Sequence, residues 1–259
     1  MTDQGQVRLQ IEAGVASVLF DRPQARNAMT WAMYEQLAAI NRELSADRSV
    51  RVAVFRGAGG QAFVAGTDIE QFAAFKTGDD GVAYERQIEA GIELMCQLPM
   101  PTVAVVEGWC VGGGLAIATA CDFRLATPSA KFGVPIAKTL GNCLAIANVA
   151  RLRAAFGHQR VKRMLLLAEF IAADEALACG FLHTVETPEA IEAATTALVQ
   201  KLASLAPVTQ RVSKTTLERL ATHDLAASED LIRAAYGSDD FHEGVAAFVA
   251  KRPPVWSGQ

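Results

Sequence analysis

The pattern of apolar and polar residues divides the chain into an alternating part and an all-helical part. Apolar and polar residues alternate over residues 7–20, which predicts a two-stranded hairpin. Beyond it, short apolar runs alternate with segments of helical periodicity, and from Pro188 onward only helical periodicity remains. The sequence therefore predicts an α/β protein with a core over residues 1–187 and a helical C-terminal region over residues 188–259.

The same pattern predicts the individual elements. Strands are expected at residues 7–11, 15–20, 50–57, 63–69, 102–106, 122–126, 131–135 and 182–185. Helices are expected at residues 30–44, 84–97, 115–120, 148–156, 160–167, 173–179, 189–205, 207–221, 225–236 and 240–249. Thr30 suits an N-cap and Pro207 suits a first helical turn. The ββα-like units recur at irregular spacing, which argues against a solenoid array.

Two glycine loops carry the candidate chemistry. Gly112-Gly113-Gly114 joins the apolar run 102–106 to the small-residue run 115–120, so it leads from a strand into a buried helix. The first amides of a helix have no intrahelical acceptor, and glycine lets a ligand approach the backbone. Ala65-Gly66-Thr67-Asp68 ends another strand, and its amide could face the same ligand. Two such donors are what a developing enolate or tetrahedral oxyanion requires.

Composition and motif searches argue against several other classes. The formal net charge is −4 with no basic stripe, so nucleic-acid binding is not expected. The polar N-terminus does not predict a signal peptide, and no apolar run reaches the length of a membrane span. An odd number of scattered cysteines, five in all, indicates reduced thiols and a cytoplasmic protein. The sequence contains no phosphate-binding loop, dinucleotide fingerprint or nucleophile elbow, and its histidines lack metal-ligand spacing.

Six segments in register resemble the crotonase superfamily, the enoyl-CoA hydratase/isomerase family. They are RPQARNAM at 22–29, AFVAGTDI at 62–69, EGWCVGGG at 107–114, FGVP at 132–135, and the stretches 172–181 and 243–253. The resemblance implies a crotonase-type (ClpP-like) spiral of ββα units with a C-terminal all-helical region that forms a homotrimer or a dimer of trimers. It also implies an acyl-CoA substrate, with no permanently bound cofactor and no metal.

The resemblance further implies roles for single residues. The amides of Thr67 and Gly113 match the oxyanion hole. The residues that match coenzyme A contacts are Ala25, Arg26 and Ala28 along the pantetheine and phosphates, Ala65, Asp68 and Ile69 at the adenine pocket, and Phe248 and Lys251 from a neighbouring subunit. A solvated charge in the last helical turn is the alternative for Lys251. Trp109, beside the glycine loop, is expected to pack against the pocket wall.

Two positions depart from the hydratase pattern. Hydratases carry one glutamate second after the triple glycine and another after FGxP, and these positions are Ala116 and Ile136 here. Both side chains are apolar and cannot transfer a proton. We expect them to border one pocket with the amides of Thr67 and Gly113.

Other polar residues near these positions offer little to replace the glutamates. Asn142 could orient a water molecule but is no base. Cys143 is a nucleophile only if its thiolate is stabilised, and an inert buried thiol is the favoured interpretation. Glu93 is interpreted as the polar side of a helix and Glu107 as a strand-end or turn residue.

Three functions remain open at this stage. The first is an enzyme of the enoyl-CoA hydratase or isomerase type that stabilises a thioester enolate. The second is a different reaction on the same scaffold, such as isomerisation, dehalogenation, C–C bond cleavage or thioester hydrolysis. The third is an acyl-CoA-binding protein without hydratase activity. The oxyanion loops favour catalysis, whereas Ala116 and Ile136 favour the second and third functions.

Overall fold

The computed structural model of the protein describes residues 4–221, 239, 240, 243, 247, 250 and 252–259. Its strands are β1 (Gln6–Glu12), β2 (Val15–Asp21), β3 (Val52–Gly57), β4 (Ala62–Ala65), β5 (Thr102–Val106), β6 (Trp109–Val111), β7 (Phe123–Ala126), β8 (Lys131–Gly133), β9 (Ile171–Ala172) and β10 (Thr184–Val185). Its helices are α1 (Trp31–Ala46), α2 (Gly78–Cys96), α3 (Gly113–Ala120), α4 (Ile146–Phe156), α5 (His158–Leu166), α6 (Ala173–Ala178), α7 (Ile191–Ala203) and α8 (Pro207–Ala221). Short 3₁₀ turns span Pro23–Ala25, Ile69–Ala74 and Pro135–Ala137.

The strands form two sheets that the chain visits in turn. The larger sheet has the order β1-β2-β3-β5-β7-β10, and its neighbours are parallel except for the β1–β2 hairpin. The smaller sheet has the order β4-β6-β8-β9, with only β9 antiparallel. The chain crosses from the larger to the smaller sheet in β3–β4, β5–β6 and β7–β8, and a helix follows each pair. These repeated ββα units confirm the predicted spiral.

The first helix shows how closely the local sequence fixes an element. The Thr30 hydroxyl accepts a hydrogen bond from the Met33 amide at 3.2 Å, so Thr30 is the N-cap that the sequence predicts. Met33, Leu37 and Ile40 are buried and lie on the face that packs against the core. The cap and the apolar spacing together set where this helix begins and which face it buries.

Apolar side chains cover both faces of the larger sheet. On one face, Ile191 and Leu202 of α7 pack with Val103 and Leu125. The other face belongs to the main core, in which a group of phenylalanines includes Phe132, Phe156 and Phe181. The α7 helix therefore packs directly on the sheet that supports the spiral. None of the helices within the described residues is long and apolar enough to cross a bilayer.

Some elements differ from the predicted ones. The α2 helix begins at Gly78 rather than near residue 84, because the Asp80 carboxylate accepts a hydrogen bond from the Thr77 amide at 2.7 Å and closes a polar first turn. The β6 strand, only three residues long, lies where the sequence predicted a loop. The helix expected at 225–236 lies outside the described residues, as does most of the one expected at 240–249.

Candidate active site

The two glycine loops leave neighbouring strands at the same edge of the smaller sheet. The β4 and β6 strands are parallel, with Ala65 opposite Val111, so Gly66-Thr67 and Gly112-Gly113 follow side by side. A Cβ atom on Gly112 would lie 3.6 Å from Gly66 Cα, which shows how close the two backbones come. Gly112 has φ 52° and ψ −119°, a conformation that side chains disfavour. The sheet register thus brings together the loops that the sequence paired.

The amides of Thr67 and Gly113 are both free to bind a ligand. Met29 holds the first loop on both sides of Thr67, because its amide donates to Gly66 O at 2.8 Å and its carbonyl accepts from Asp68 N at 2.9 Å. Gly113 begins α3, where the amide has no intrahelical acceptor. Neither the Thr67 nor the Gly113 amide hydrogen meets a protein acceptor within the described part of the chain. Two fixed donors of this kind suit a developing oxyanion.

Two tyrosines place their hydroxyl groups at the same loops. The hydroxyl oxygen of Tyr34, on α1, lies 2.8 Å from Thr67 Oγ1. The hydroxyl oxygen of Tyr84, on α2, lies 2.9 Å from the same atom. A Cβ atom on Gly113 would overlap the Tyr34 hydroxyl and lie 3.5 Å from Thr67 Oγ1. The three hydroxyl groups therefore form a chain beside the Gly113 backbone. Sequence reasoning missed both tyrosines.

Burial keeps the two phenols neutral. Burial raises the pKa of Tyr34 above its ordinary value, and the neighbouring Tyr84 raises it further. Burial also raises the pKa of Tyr84. Because both pKa values move away from neutrality, both phenols keep their protons at pH 7, and each is able to donate a hydrogen bond.

An aromatic group holds the Tyr84 ring. The ring centroid of Tyr84 lies 5.4 Å from that of Trp31 and 5.0 Å from that of Phe72. Phe75 lies parallel to Trp31, with their centroids 6.5 Å apart. The Trp31 amide also donates to Gln71 Oε1 at 2.7 Å, which ties α1 to the 3₁₀ turn that contains Phe72. These contacts fix the position of the Tyr84 hydroxyl.

An open groove of about 470 Å³ runs from Thr67 along the loop between β2 and α1. Its lining residues are Arg22, Gln24, Ala25, Ala28, Ala65, Thr67, Asp68, Ile69 and Glu70. Five of the residues that the resemblance matched to coenzyme A contacts are therefore together in one groove: Ala25, Ala28, Ala65, Asp68 and Ile69. Arg22, which pairs with Asp68 at 2.8 Å, was missed although it belongs to the RPQARNAM segment. Arg26 is exposed and is not among the lining residues.

Asn27 fixes the loop that forms one side of this groove. Its side-chain amide donates to Ala58 O at 2.9 Å and to Ala62 O at 2.8 Å, and its Oδ1 accepts from Arg22 N at 2.9 Å. Asn27 is fully buried and has φ 58°. One side chain thus joins the loop to the segment between β3 and β4, where the Thr67 strand begins.

We expect Asn27→Ala to lower the free energy of unfolding by about 2–4 kcal/mol. The change removes the donor to the half-buried Ala58 carbonyl and the buried Ala62 carbonyl, and puts alanine in a left-handed conformation. Chemical denaturation would measure the loss. Arg26→Ala is the matched control, because Arg26 also has a positive φ of 52° but is exposed. Equal losses in the two variants would contradict the role assigned to the Asn27 side chain.

Ala116 and Ile136 both lie near the C-terminal edge of the smaller sheet. Ala116 is in the first turn of α3, and its amide donates to Gly112 O at 3.1 Å. Ile136 follows β8, whose Gly133 carbonyl accepts from Gly112 N at 3.0 Å. Both side chains are half-buried and pack against the main core. That they border one pocket with the two amides stays a prediction.

The segment after Ile136 lies at the surface. Asn142 and Cys143 are exposed between the 3₁₀ turn and α4. The expectation that Cys143 is buried was wrong, because this segment has no helix or strand to turn the thiol inward. The role suggested for Asn142 stays a prediction. Glu85 of α2, which sequence reasoning missed, accepts from the Ala145 amide at 2.7 Å, and burial raises its pKa.

The remaining predicted residues have varied positions. Trp109 begins β6 and contacts Phe170 edge to face, with centroids 5.1 Å apart, so its place on the pocket wall stays a prediction. Glu107 pairs with Arg56 at 3.2 Å, in agreement with a strand-end residue. Phe248 and Lys251 lie outside the described residues. Among the residues that the structure describes, no group of histidine, cysteine, aspartate and glutamate could hold a metal ion.

Comparison with known proteins finds relatives whose similarity extends over almost the whole chain. The sequence profile of the family described as Enoyl-CoA hydratase/isomerase matches residues 10–259. The (E)-benzylidenesuccinyl-CoA hydratase of Thauera aromatica is 31% identical over 258 residues, which cover 97% of this chain and 99% of that protein. The short-chain-enoyl-CoA hydratase of Clostridium acetobutylicum is 31% identical over 95% of each chain. The crystal structure of an enoyl-CoA hydratase/carnithine racemase from Magnetospirillum magneticum superposes with a TM-score of 0.91 at 34% identity, and covers 100% of this chain and 97% of that one.

Proposed function

The chain belongs to the enoyl-CoA hydratase/isomerase family, and we propose that it stabilises the enolate or oxyanion of an acyl-CoA thioester with the amides of Thr67 and Gly113. The observation that carries the proposal is the meeting of two strand ends, which brings both donors to one edge of the smaller sheet. The reaction would be of the hydratase or isomerase type.

The chemistry of the thioester explains why two fixed donors matter. Negative charge gathers on the thioester oxygen as the enolate forms, and donors that already point to that position need no reorganisation. Each such donor is typically worth roughly 3–4 kcal/mol in the transition state. The loop bonds on either side of Thr67 and the helix start at Gly113 supply this rigidity.

The groove next to Thr67 is the proposed place for coenzyme A. It is continuous with the Thr67 loop and contains five of the matched residues, including Ala25 and Asp68. In a homotrimer or dimer of trimers, Phe248 and Lys251 of a neighbouring subunit would complete it. A lysine there would act as a point charge for a phosphate group.

A different reaction on the same scaffold is the second candidate. Ala116 and Ile136 supply no carboxylate, and the phenols of Tyr34 and Tyr84 are held protonated. The two phenols can donate a hydrogen bond, but neither they nor the apolar side chains can remove a proton from carbon or water. Such a centre favours reactions that form the enolate by breaking a C–C bond, such as loss of carbon dioxide from a malonyl-type thioester.

Three measurements with the purified protein separate these functions. Calorimetric titration with coenzyme A tests binding, and the ultraviolet absorbance of crotonyl-CoA and carbon dioxide release from malonyl-CoA test turnover. Loss of the crotonyl-CoA absorbance at an enzymatic rate supports hydration, and carbon dioxide release supports the second candidate. Binding of coenzyme A without turnover of either thioester favours a binding protein. Failure to bind coenzyme A contradicts the proposal.

A further inference from the structure

The hydroxyl chain at Thr67 carries three protons, and its two short contacts use only two of them. Tyr34, Thr67 and Tyr84 carry three hydroxyl protons, and the two contacts at 2.8 and 2.9 Å use one proton each. The third proton can join the Tyr34 and Tyr84 hydroxyls, whose side chains also interact, or it can donate to a bound ligand. The chain lies beside the Gly113 backbone, so the remaining proton is close to the proposed oxyanion hole.

We propose that Tyr34 is a catalytic residue whose hydroxyl is a third donor to the thioester oxygen, beside the amides of Thr67 and Gly113. This inference rests on the proposed function, because it needs a thioester at that site. In the bound state the Tyr84 hydroxyl donates to Thr67 Oγ1, the Thr67 hydroxyl donates to Tyr34, and the Tyr34 proton points to the substrate.

The position of Tyr34 distinguishes it from Tyr84. The Tyr34 hydroxyl lies so close to Gly113 that a Cβ atom there would overlap it, and Tyr34 Cζ would lie 3.6 Å from that atom. The Tyr84 ring is instead packed among Trp31 and Phe72. Of the two phenols, Tyr34 is therefore the one in direct contact with the Gly113 loop.

A negative charge on the thioester oxygen also favours the proposed direction of the hydrogen bonds among the three hydroxyl groups. A phenol is a stronger hydrogen-bond donor than an aliphatic hydroxyl, so the chain gains most when it ends on a phenol at the oxyanion. Each donor in such a series polarises the next, and Tyr84 and Thr67 would strengthen the Tyr34 donor. The raised pKa of Tyr34 keeps this proton in place at neutral pH.

A chromophoric thioester tests the third donor directly. An arylacryloyl-CoA absorbs at longer wavelength when its carbonyl is polarised, so the shift on binding reports the donors at the oxygen. We expect Tyr34→Phe to lose at least half of the wild-type shift and to lower kcat about 10- to 100-fold, with a much smaller change in KM. Tyr84→Phe is the matched comparison, since it removes the same group one position farther along the chain, and we expect it to keep most of the shift.

A second variant separates donation from a structural role. Difluorotyrosine at position 34 retains the hydroxyl but makes it more acidic, so a donor to the thioester oxygen should increase the shift above that of the wild type. A phenol that only braces the Thr67 loop would give no increase. Unfolding midpoints of all variants establish that the readouts come from folded protein.

The outcomes distinguish this inference from the proposed function. Absence of a shift in the wild type overturns both. A wild-type shift that Tyr34→Phe retains in full overturns the role of Tyr34 alone and leaves the two amides. A loss in Tyr84→Phe that exceeds the loss in Tyr34→Phe also overturns it, since the remaining proton then belongs to Tyr84.

Discussion

Gly113→Ala is expected to lower turnover about 100- to 1,000-fold and to abolish the absorbance shift of a bound arylacryloyl-CoA, while the chain stays folded. The added methyl group would overlap the Tyr34 hydroxyl and lie 3.5 Å from Thr67 Oγ1. It would therefore stand between the two loops whose amides we propose as the oxyanion hole. The overlap involves the end of a side chain, so the tyrosine can yield and the fold can survive.

A double variant tests the cause of this loss. In Gly113→Ala with Tyr34→Phe the hydroxyl is gone, and the methyl group would keep ordinary contact distances of 3.5 Å to Thr67 Oγ1 and 3.6 Å to the ring carbon Cζ at position 34. We expect the double variant to regain any lost unfolding free energy, as measured by chemical denaturation. We expect its turnover to stay low, because the Tyr34 hydroxyl is no longer present as a donor. If Gly113→Ala alone keeps wild-type turnover and the full shift, the proposed role of Gly113 is wrong.

The parts of the fold that the sequence predicts well are those with a local cause. The α1 helix begins where Thr30 caps it, and α8 begins at Pro207, as the pattern predicts. The start of α2 was misplaced because its first turn is polar and is stabilised by Asp80 rather than by apolar packing. The β6 strand was missed because three residues carry too little alternation, and its pairing with β4 and β8 decides its conformation.

The candidate site likewise contains parts with a local cause in the sequence and parts that only the fold brings together. Its loops follow from motifs that are contiguous in sequence, so the resemblance found most of the groove. The two tyrosines belong to no such motif. Tyr34 and Tyr84 are 33 and 17 residues from Thr67 in sequence and contact it only in the folded protein. Tyr34 follows the buried Met33 on α1 and resembles an ordinary core aromatic. The one available signal was its hydroxyl, since a buried phenol requires a hydrogen-bond partner.

Gly114→Ala, one residue beyond Gly113, is expected to destabilise the fold by about 3 kcal/mol or more and to remove activity with it. A Cβ atom on Gly114 would overlap the Val64 carbonyl oxygen and lie 2.7 Å from Val64 Cβ and 2.8 Å from Val64 C. Val64 is a fully buried residue of β4, paired with Cys110 of β6. The hydrogen-bonded backbone of the paired strands β4 and β6 cannot yield as a tyrosine hydroxyl can, so α3 must move away from β4.

Denaturation of Gly114→Ala beside Gly113→Ala therefore separates two causes of lost activity with the same added methyl group. We expect a large loss of unfolding free energy only at position 114, and we expect Val64→Ala not to restore it, because the obstructing carbonyl oxygen belongs to the backbone. Wild-type stability in Gly114→Ala would show that α3 does not rest on β4 as described. Since α3 begins with the Gly113 amide, close contact between this helix and the Thr67 strand is what holds the two proposed donors at one oxygen.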